Sequence, residues 1–412
     1  MSEMESMWRD LPAEILENVF TFLPISSLCR FRTLSKRWNI YISSPAFRLA
    51  QASRLVSPEE YVVLVRFWGH EQRSGWNVLD KAKRKFLFLG DDFLRNHLLQ
   101  RHPYQDAYLE AADGGLFCMR CDWQSDDITG PTCLFVCNPV LKTFKELPHL
   151  AAKAPHIVMS TDIVLMEYEI IAINSPTSPA SVFVYESKIG SWRVVPYNQI
   201  YCRPEWRMWR TLTTFKNKQY WINSGSCEGH HTCEGIVCYD KDTRVVSDLA
   251  GLHMPFHDPT GRTRFTWHLV VSQDKLFGVM FVESLSDIFS SVSIFKINIA
   301  KEERIHMTEV PRELLVWVLG PNLEWGTIRD LESGSLCARS SNDIYCAFDL
   351  VVVTGSADSI LISNVGRCAA YNLLDKSWYQ CPDPLEGFHG AGPGISKNVN
   401  YSDSCCLSFC SP

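Results

Sequence analysis

Apolar side chains recur at helical spacing near the front of the chain and at strand spacing through the rest of it. Leu11, Ile15, Leu16, Val19, Phe20 and Leu23 cover about half of a helix circumference at ~100° per residue, a wider stripe than one small core needs. This helix is expected to face two partners at once. Asp10 is placed to cap its first amides, Pro12 falls at an early position where a missing N–H costs nothing, and Pro24 ends it. Ser26 or Ser27 opens a second helix with Leu28, Phe31 and Leu34 inward, Ser35 caps a third carrying Trp38 and Ile42, and Pro45 closes the unit. Units of about forty residues bury too little to stand alone with so much apolar surface. The pattern implies a protein partner, or else helices lying as a cap on the rest of the chain.

Past residue 58 helical periodicity fades and one unit repeats: a strand-like run ending in Asp, Asn or Glu, a polar turn, then an apolar residue opening the next strand. The turn-opening residues are Asp80, Asn138, Glu186, Asp240, Asn298 and Asn372. Six positions later stand Phe86, Phe144, Trp192, Val246, Arg304 beside Ile305, and Trp378. Short carboxylate and amide side chains suit such turns because they bond their own backbone. Spacings of 48 to 74 residues leave room for a four-stranded sheet per unit, the size of a propeller blade. Six blades are expected. The long interval from Asn298 to Asn372 is expected to hold loops on a binding face.

The front module resembles the F-box motif along its length. The residues carrying the resemblance are Trp8, Leu11-Pro12-x-Glu14-Ile15-Leu16, Leu23-Pro24, Leu28, Phe31-Arg32, Leu34-Ser35-Lys36-Arg37-Trp38 and Ser44-Pro45-Ala46-Phe47, in the family's order and spacing. The resemblance implies binding to a small Skp-type adaptor, and through it to a cullin and a RING protein. It implies that Leu11, Pro12, Ile15, Leu16, Val19, Phe20, Leu23, Pro24, Leu28 and Trp38 form the adaptor face together with the module's own small core. The repeats are similar to kelch blades, nearest at residues 184–192 and 370–378, and Gly114-Gly115 supplies one double glycine. Together the two resemblances cover nearly the whole chain and look like plant F-box/kelch-repeat proteins, which recognise proteins for ubiquitination.

The expected fold is an α+β multidomain chain: a flexible start over 1–7, a small three-helix F-box over 8–50, a linker over 51–58, an all-β kelch-like propeller of six blades over 59–395, and a tail over 396–412 able to close the last blade. A net charge of −6 argues against nucleic acid as a partner. No apolar run is long enough to cross a membrane, since Glu167 and Glu169 interrupt the longest candidate, Ile163 to Ile173. The acidic start lacks the pattern of a signal peptide, and 16 irregularly spaced cysteines read as reduced core residues. Cytoplasm, nucleus or both are the expected locations. The sequon at Asn400 is then a chance occurrence.

No enzymatic constellation emerges. Gly-x-Ser-x-Gly, His-Glu-x-x-His and Walker loops are absent, and His70-Glu71 lacks the second histidine. The glycines from Gly390 to Gly394 lack a following helix and read as a turn. Cys227, His230, His231, Cys233 and Cys238 are spaced too irregularly for structural zinc, and Cys118 with Cys121 reads as strand packing. No metal and no cofactor are expected. Trp206, Arg207, Trp209 and Arg210 interleave residue types common at interface hot spots and are candidate contacts to an unidentified protein target, against the simpler reading of a blade strand with alternating faces. The basic run Lys81 to Lys85 reads as a solvated hairpin tip. The expected function is that of a non-catalytic substrate receptor of a cullin-type ubiquitin ligase. The alternative is a propeller enzyme of oxidase or hydrolase type with an appended helical module.

Overall fold

The structure, a computed structural model, describes residues 12–23, 25–52, 61–67, 75–80, 85–101, 107–121, 133–150, 156–162, 165–173, 181–196, 213–226, 232–249, 252, 254, 263–284, 291–322, 338–340, 343–345, 352–355, 358–364, 367–381 and 399–406. Helix α1 (Ala13–Thr21) starts just after Pro12, which sits at the cap with φ −52° and ψ 141° and not inside the first turn. Helix α2 spans Ile25–Leu34, so Ser26 and Ser27 lie within its first turn and do not cap it. Ser35 caps α3 (Lys36–Ile42) as expected, its Oγ accepting from the Arg37 amide at 3.2 Å. Pro45 does not close the unit. It opens a fourth helix, α4 (Pro45–Ala52), where its fixed φ suits the first helical position, and the Ser44 hydroxyl accepts from the Phe47 amide at 3.2 Å. Among the described residues the module thus has four helices, not the three expected.

The remainder is all-β, interrupted among the described residues by helices α5 (Asp92–Arg101) and α6 (Arg312–Asn322). The second sheet runs β4 (Ala107–Asp113), β5 (Leu116–Cys121), β6 (Cys133–Asn138), β7 (Thr143–Glu146). The third runs β8 (His156–Asp162), β9 (Glu167–Ile173), β10 (Ser181–Glu186), β11 (Ser191–Pro196). The fourth runs β12 (Thr213–Phe215), β13 (Lys218–Ser226), β14 (Thr232–Asp240), β15 (Val245–Leu249). The fifth runs β16 (Thr263–Ser272), β17 (Lys275–Ser284), β18 (Val292–Asn298), β19 (Glu303–Glu309). After a short hairpin, β20 (Ala338–Ser340) with β21 (Asp343–Tyr345), the sixth runs β22 (Val352–Gly355), β23 (Ser359–Asn364), β24 (Arg367–Asn372), β25 (Trp378–Gln380). The repeat predicts six blades, and the structure builds five from consecutive strands. The first sheet is composite: β1 (Tyr61–Phe67), β2 (Gly75–Asp80) and β3 (Lys85–Gly90) take their fourth strand from β26 (Val399–Cys406), which pairs antiparallel with β1. Leading strands of neighbouring sheets pack on one another, β26 on β4, β4 on β8, β12 on β16, β16 on β22 and β22 on β26. The architecture is a β-propeller.

Each turn-opening residue read from the repeat closes the third strand of its sheet. Asn138 Oδ1 accepts from the Val140 and Leu141 amides at 2.9 Å each, and Asn372 Oδ1 from Leu374 at 2.8 Å, the self-bonding that selects these residues. The turns after Asn138, Glu186, Asp240 and Asn298 are four residues long and that after Asn372 is five, and in each the residue four positions on adopts a left-handed backbone: Lys142, Gly190, Arg244, Glu302 and Lys376 have φ between 52° and 75°. Asp240 shows the electrostatics of the set. Its carboxylate accepts from Lys218 Nζ at 2.7 Å and from the Thr243 and Asp242 amides, which hold its pKa down to about 2, below the ordinary aspartate range. A depressed carboxyl stabilises the fold above its unfolded pKa of about 4 and loses that contribution as pH falls through the folded value. We therefore expect an NMR titration of the Asp240 carboxyl to have its midpoint near pH 2, with Thr243 amide protection lost in step. A midpoint near 4 would show that the turn bonds do not hold in solution.

The interval from Asn298 to Asn372 holds more than loops. Helix α6 sinks Leu314, Leu315 and Val318 into an apolar cluster shared with Phe281 and Ile294 of the fifth sheet and Ile360 and Ile362 of the sixth. Gly114-Gly115, expected as a blade signature, forms the tight β4–β5 turn with φ +54° and +81°.

Candidate functional site: an apolar helical face

Ten residues of the helical module carry the sequence-based assignment of a docking face, and the structure sorts them. Leu16, Phe20 and Leu28 are buried at 6%, 3% and 0% exposure. Phe20 is the hub, with ring centroids 5.0 Å from Phe31 and 4.6 Å from Trp38, both edge-on, the arrangement aromatic quadrupoles favour. Leu23 and Trp38 are half-buried against the same cluster, so Trp38 belongs mainly to the core. Pro12, Ile15 and Val19 point outward, Ile15 at 47% and Val19 at 38%. Leu11 and Pro24 lie outside the described residues.

The structure adds one residue to the outward set that the sequence reading missed. Phe22 is 74% exposed, and Pro12, Ile15, Val19 and Phe22 follow one another at intervals of three, four and three, which makes them one stripe on α1. The signal was available in that spacing. Leu34 was expected inward on α2 and is instead 73% exposed, because α2 ends there, before Ser35 turns the chain into α3. Ile40 on α3 is equally exposed.

The inner faces of the helices are covered by the chain itself. Leu16, Phe20, Leu28, Ile42 and Phe47 join one apolar cluster with Leu94 of α5 and Phe135, Cys137 and Val140 of the second sheet. Arg32 fastens the junction: Nε donates to Asn39 Oδ1 at 2.9 Å and Nη1 to the Val140 carbonyl at 3.2 Å. The two ways of covering this module, by capping the chain or by taking a partner, are therefore both in play on different faces. The inner faces cap the propeller, and the α1 stripe is exposed. A stripe this apolar on a monomer surface is what a protein partner covers.

The other assignments fare differently. Trp206, Arg207, Trp209 and Arg210 lie outside the described residues, as do Cys227, His230, His231 and the stretch from Gly390 to Gly394. Cys238 is buried in the cluster between the fourth and fifth sheets, and Cys118 in the cluster between the second and third, as core thiols. No group of three or more potential metal ligands converges among the described residues. No described helix is long and apolar enough to cross a membrane.

Comparison with known proteins gives the stripe a context. Residues 8–49 match the F-box domain, the segment that carries it. Across 90% of its length the chain is 22% identical to F-box only protein 13 of Arabidopsis thaliana, covering 80% of that protein. A second Arabidopsis thaliana F-box protein is 27% identical, again over 90% of this chain and 85% of its own length. A protein named for F-box and kelch repeats, from the same plant, matches only 34% of the chain at 24% identity, a partial match that does not confirm the kelch character expected of the blades. Among solved structures, an α-L-arabinanase from Penicillium chrysogenum aligns over 75% of this chain and 92% of its own, at a TM-score of 0.40 and 13% identity. That likeness is too distant to bear on function.

Proposed function

We propose that this chain is the substrate-recognition subunit of an Skp–cullin–F-box ubiquitin ligase. The observation that carries the reading is the exposed stripe Pro12–Ile15–Val19–Phe22 on a segment matching the F-box domain, whose inner faces are buried in the cluster shared with the second sheet. In this reading the Skp-type adaptor covers the stripe and links the chain to a cullin and a RING protein. The propeller holds a target protein. The chain makes and breaks no bond itself. It raises the local concentration of a target lysine beside a charged ubiquitin-conjugating enzyme, and proximity does the rest. Trp206, Arg207, Trp209 and Arg210, on the connection between β11 and β12, are the proposed target contacts, and cytoplasm or nucleus the proposed location.

The experiment is reconstitution. Full-length chain mixed with purified Skp-type adaptor should elute as one stoichiometric complex and recruit the cullin only when the adaptor is present. A chain that elutes apart from the adaptor at micromolar concentrations would remove the basis of the assignment.

A further inference from the structure

At five seams of the propeller, leading strands of neighbouring sheets pack directly together. The seam between the third and fourth sheets also carries a polar layer. On the third sheet Ser160, Glu169 and Glu186 are register partners across β8, β9 and β10, and so form one row on one face. On the fourth sheet Thr214, Gln219 and Tyr239 form the equivalent row across β12, β13 and β14. The two rows meet at Tyr239, whose hydroxyl takes a bond from the Arg193 side chain of the third sheet. Lys241, just past β14, reaches over to the third sheet, with Nζ donating to Ser160 Oγ and lying 3.4 Å from Glu169 Oε2. Arg193 of β11 reaches the other way, with Nη2 donating to Tyr239 Oη at 2.6 Å and Nε to Glu186 at 2.7 Å. Next to this polar layer the same seam is apolar, closed by Val158, Ile171, Val184, Trp221 and Val237.

Within the polar layer one set of atoms has no protein partner. Gln219 is fully buried, and neither its amide oxygen nor its amide nitrogen makes a hydrogen bond. The hydroxyl of Thr214, its direct cross-strand neighbour, is likewise buried and unpartnered. A buried amide left bare at both ends is costly, and proteins meet such a cost with ordered water when the site is polar on several sides. This one offers donors and acceptors of both kinds: an amide, two hydroxyls, an ammonium and a carboxylate. No single sign of charge dominates it. Water, able to donate and accept at once, fits this set better than an anion or a cation.

We propose that the seam between the third and fourth sheets is a built hydration site, where ordered water bridges Gln219 and Thr214 to the Ser160–Lys241–Glu169 cluster. Water-mediated bonds are nearly as favourable as direct ones, and so the bridge holds the polar layer beside the apolar part of the seam.

Two measurements on the full chain test it. The first is a high-resolution structure of the chain with its adaptor, in which we expect water within hydrogen-bond distance of the Gln219 amide and the Thr214 hydroxyl. A dry seam, an amide bonded only to protein groups, or a larger molecule in that place would overturn the proposal. The second is thermal melting of a double variant, Gln219→Leu with Thr214→Val. If water completes the layer, the variant severs bonds to the charged cluster and melts about 3 °C or more below the wild type. If the polar atoms are bare, apolar replacements relieve their cost. An unchanged or higher melting temperature then counts against the proposal. The structure of the unsubstituted chain decides the matter should the variant fail to fold.

Discussion

Replacing Ile15 or Val19 by Asp should reduce binding of the Skp-type adaptor at least about 100-fold while leaving the melting temperature of the chain close to that of the wild type. Both residues are exposed, at 47% and 38%, and neither belongs to the apolar cluster beneath α1. A carboxylate on the free surface is solvated, so the uncomplexed chain loses only the few tenths of a kcal/mol by which Asp trails Ile or Val in a helix. Under a partner the same carboxylate would be stripped of water with no counter-charge, and that cost falls wholly on the complex. Their buried neighbours should behave in the opposite way. Leu16→Ala and Phe20→Ala remove side chains with 6% and 3% exposure and should cost about 2–5 kcal/mol of stability, with adaptor binding reduced only as far as the module unfolds. Calorimetric titration paired with melting curves separates the two classes. If Ile15→Asp and Val19→Asp bind the adaptor as the wild type does, the stripe is not the docking face.

That contrast marks where sequence reasoning stops. The arc on α1 was visible as too wide for one core, and the conclusion that it serves two surfaces follows from counting positions. Which side is which does not, because α1 is apolar on both. Ile15 and Leu16 are adjacent in sequence and differ only in what the second sheet does beneath them. The inner side became the core through residues far along the chain, Phe135, Cys137 and Val140, whose approach no local pattern announces. Pro45 failed for a related reason. Proline stops a helix that precedes it and starts one that follows, and only the packing of Phe47 into the cluster selects the second outcome.

The propeller was legible in proportion to how local its signals are. Asn138, Asp240, Asn298 and Asn372 were legible because each bonds an amide two or three positions away, and that bond fixes the residue type, whereas Glu186 instead holds Arg193. The left-handed residue four positions later went unseen because Lys142, Arg244, Glu302 and Lys376 are not glycine, and only Gly190 advertises the backbone it adopts. The polar seam was invisible for a deeper reason. Gln219 and Ser160 belong to rows set by two separate registers and joined by a sheet-to-sheet contact, none of it encoded within a short window.

The composite first sheet makes the ring depend on a segment distant from it in sequence, and truncation after residue 398 should therefore be among the most damaging changes available. It removes β26, which pairs with β1 in seven positions from Tyr61 to Phe67 and also packs against β4 of the second sheet and β22 of the sixth. One deletion thus strips a backbone ladder and opens seams on both flanks. With a net contribution of about 1 kcal/mol per backbone hydrogen bond, the ladder alone accounts for several kcal/mol, a large part of what typically holds a domain folded. The bared edge of β1 would also offer unpaired amides and carbonyls to other chains. We expect the truncated chain to aggregate or to melt at least about 10 °C lower, and a synthetic peptide of residues 396–412 supplied in excess to restore part of the loss, because a partner that binds only the folded ring stabilises it by mass action. A truncated chain that melts cooperatively at the wild-type temperature would mean that five uninterrupted sheets close the propeller without β26, and that the β1–β26 ladder contributes nothing to its stability.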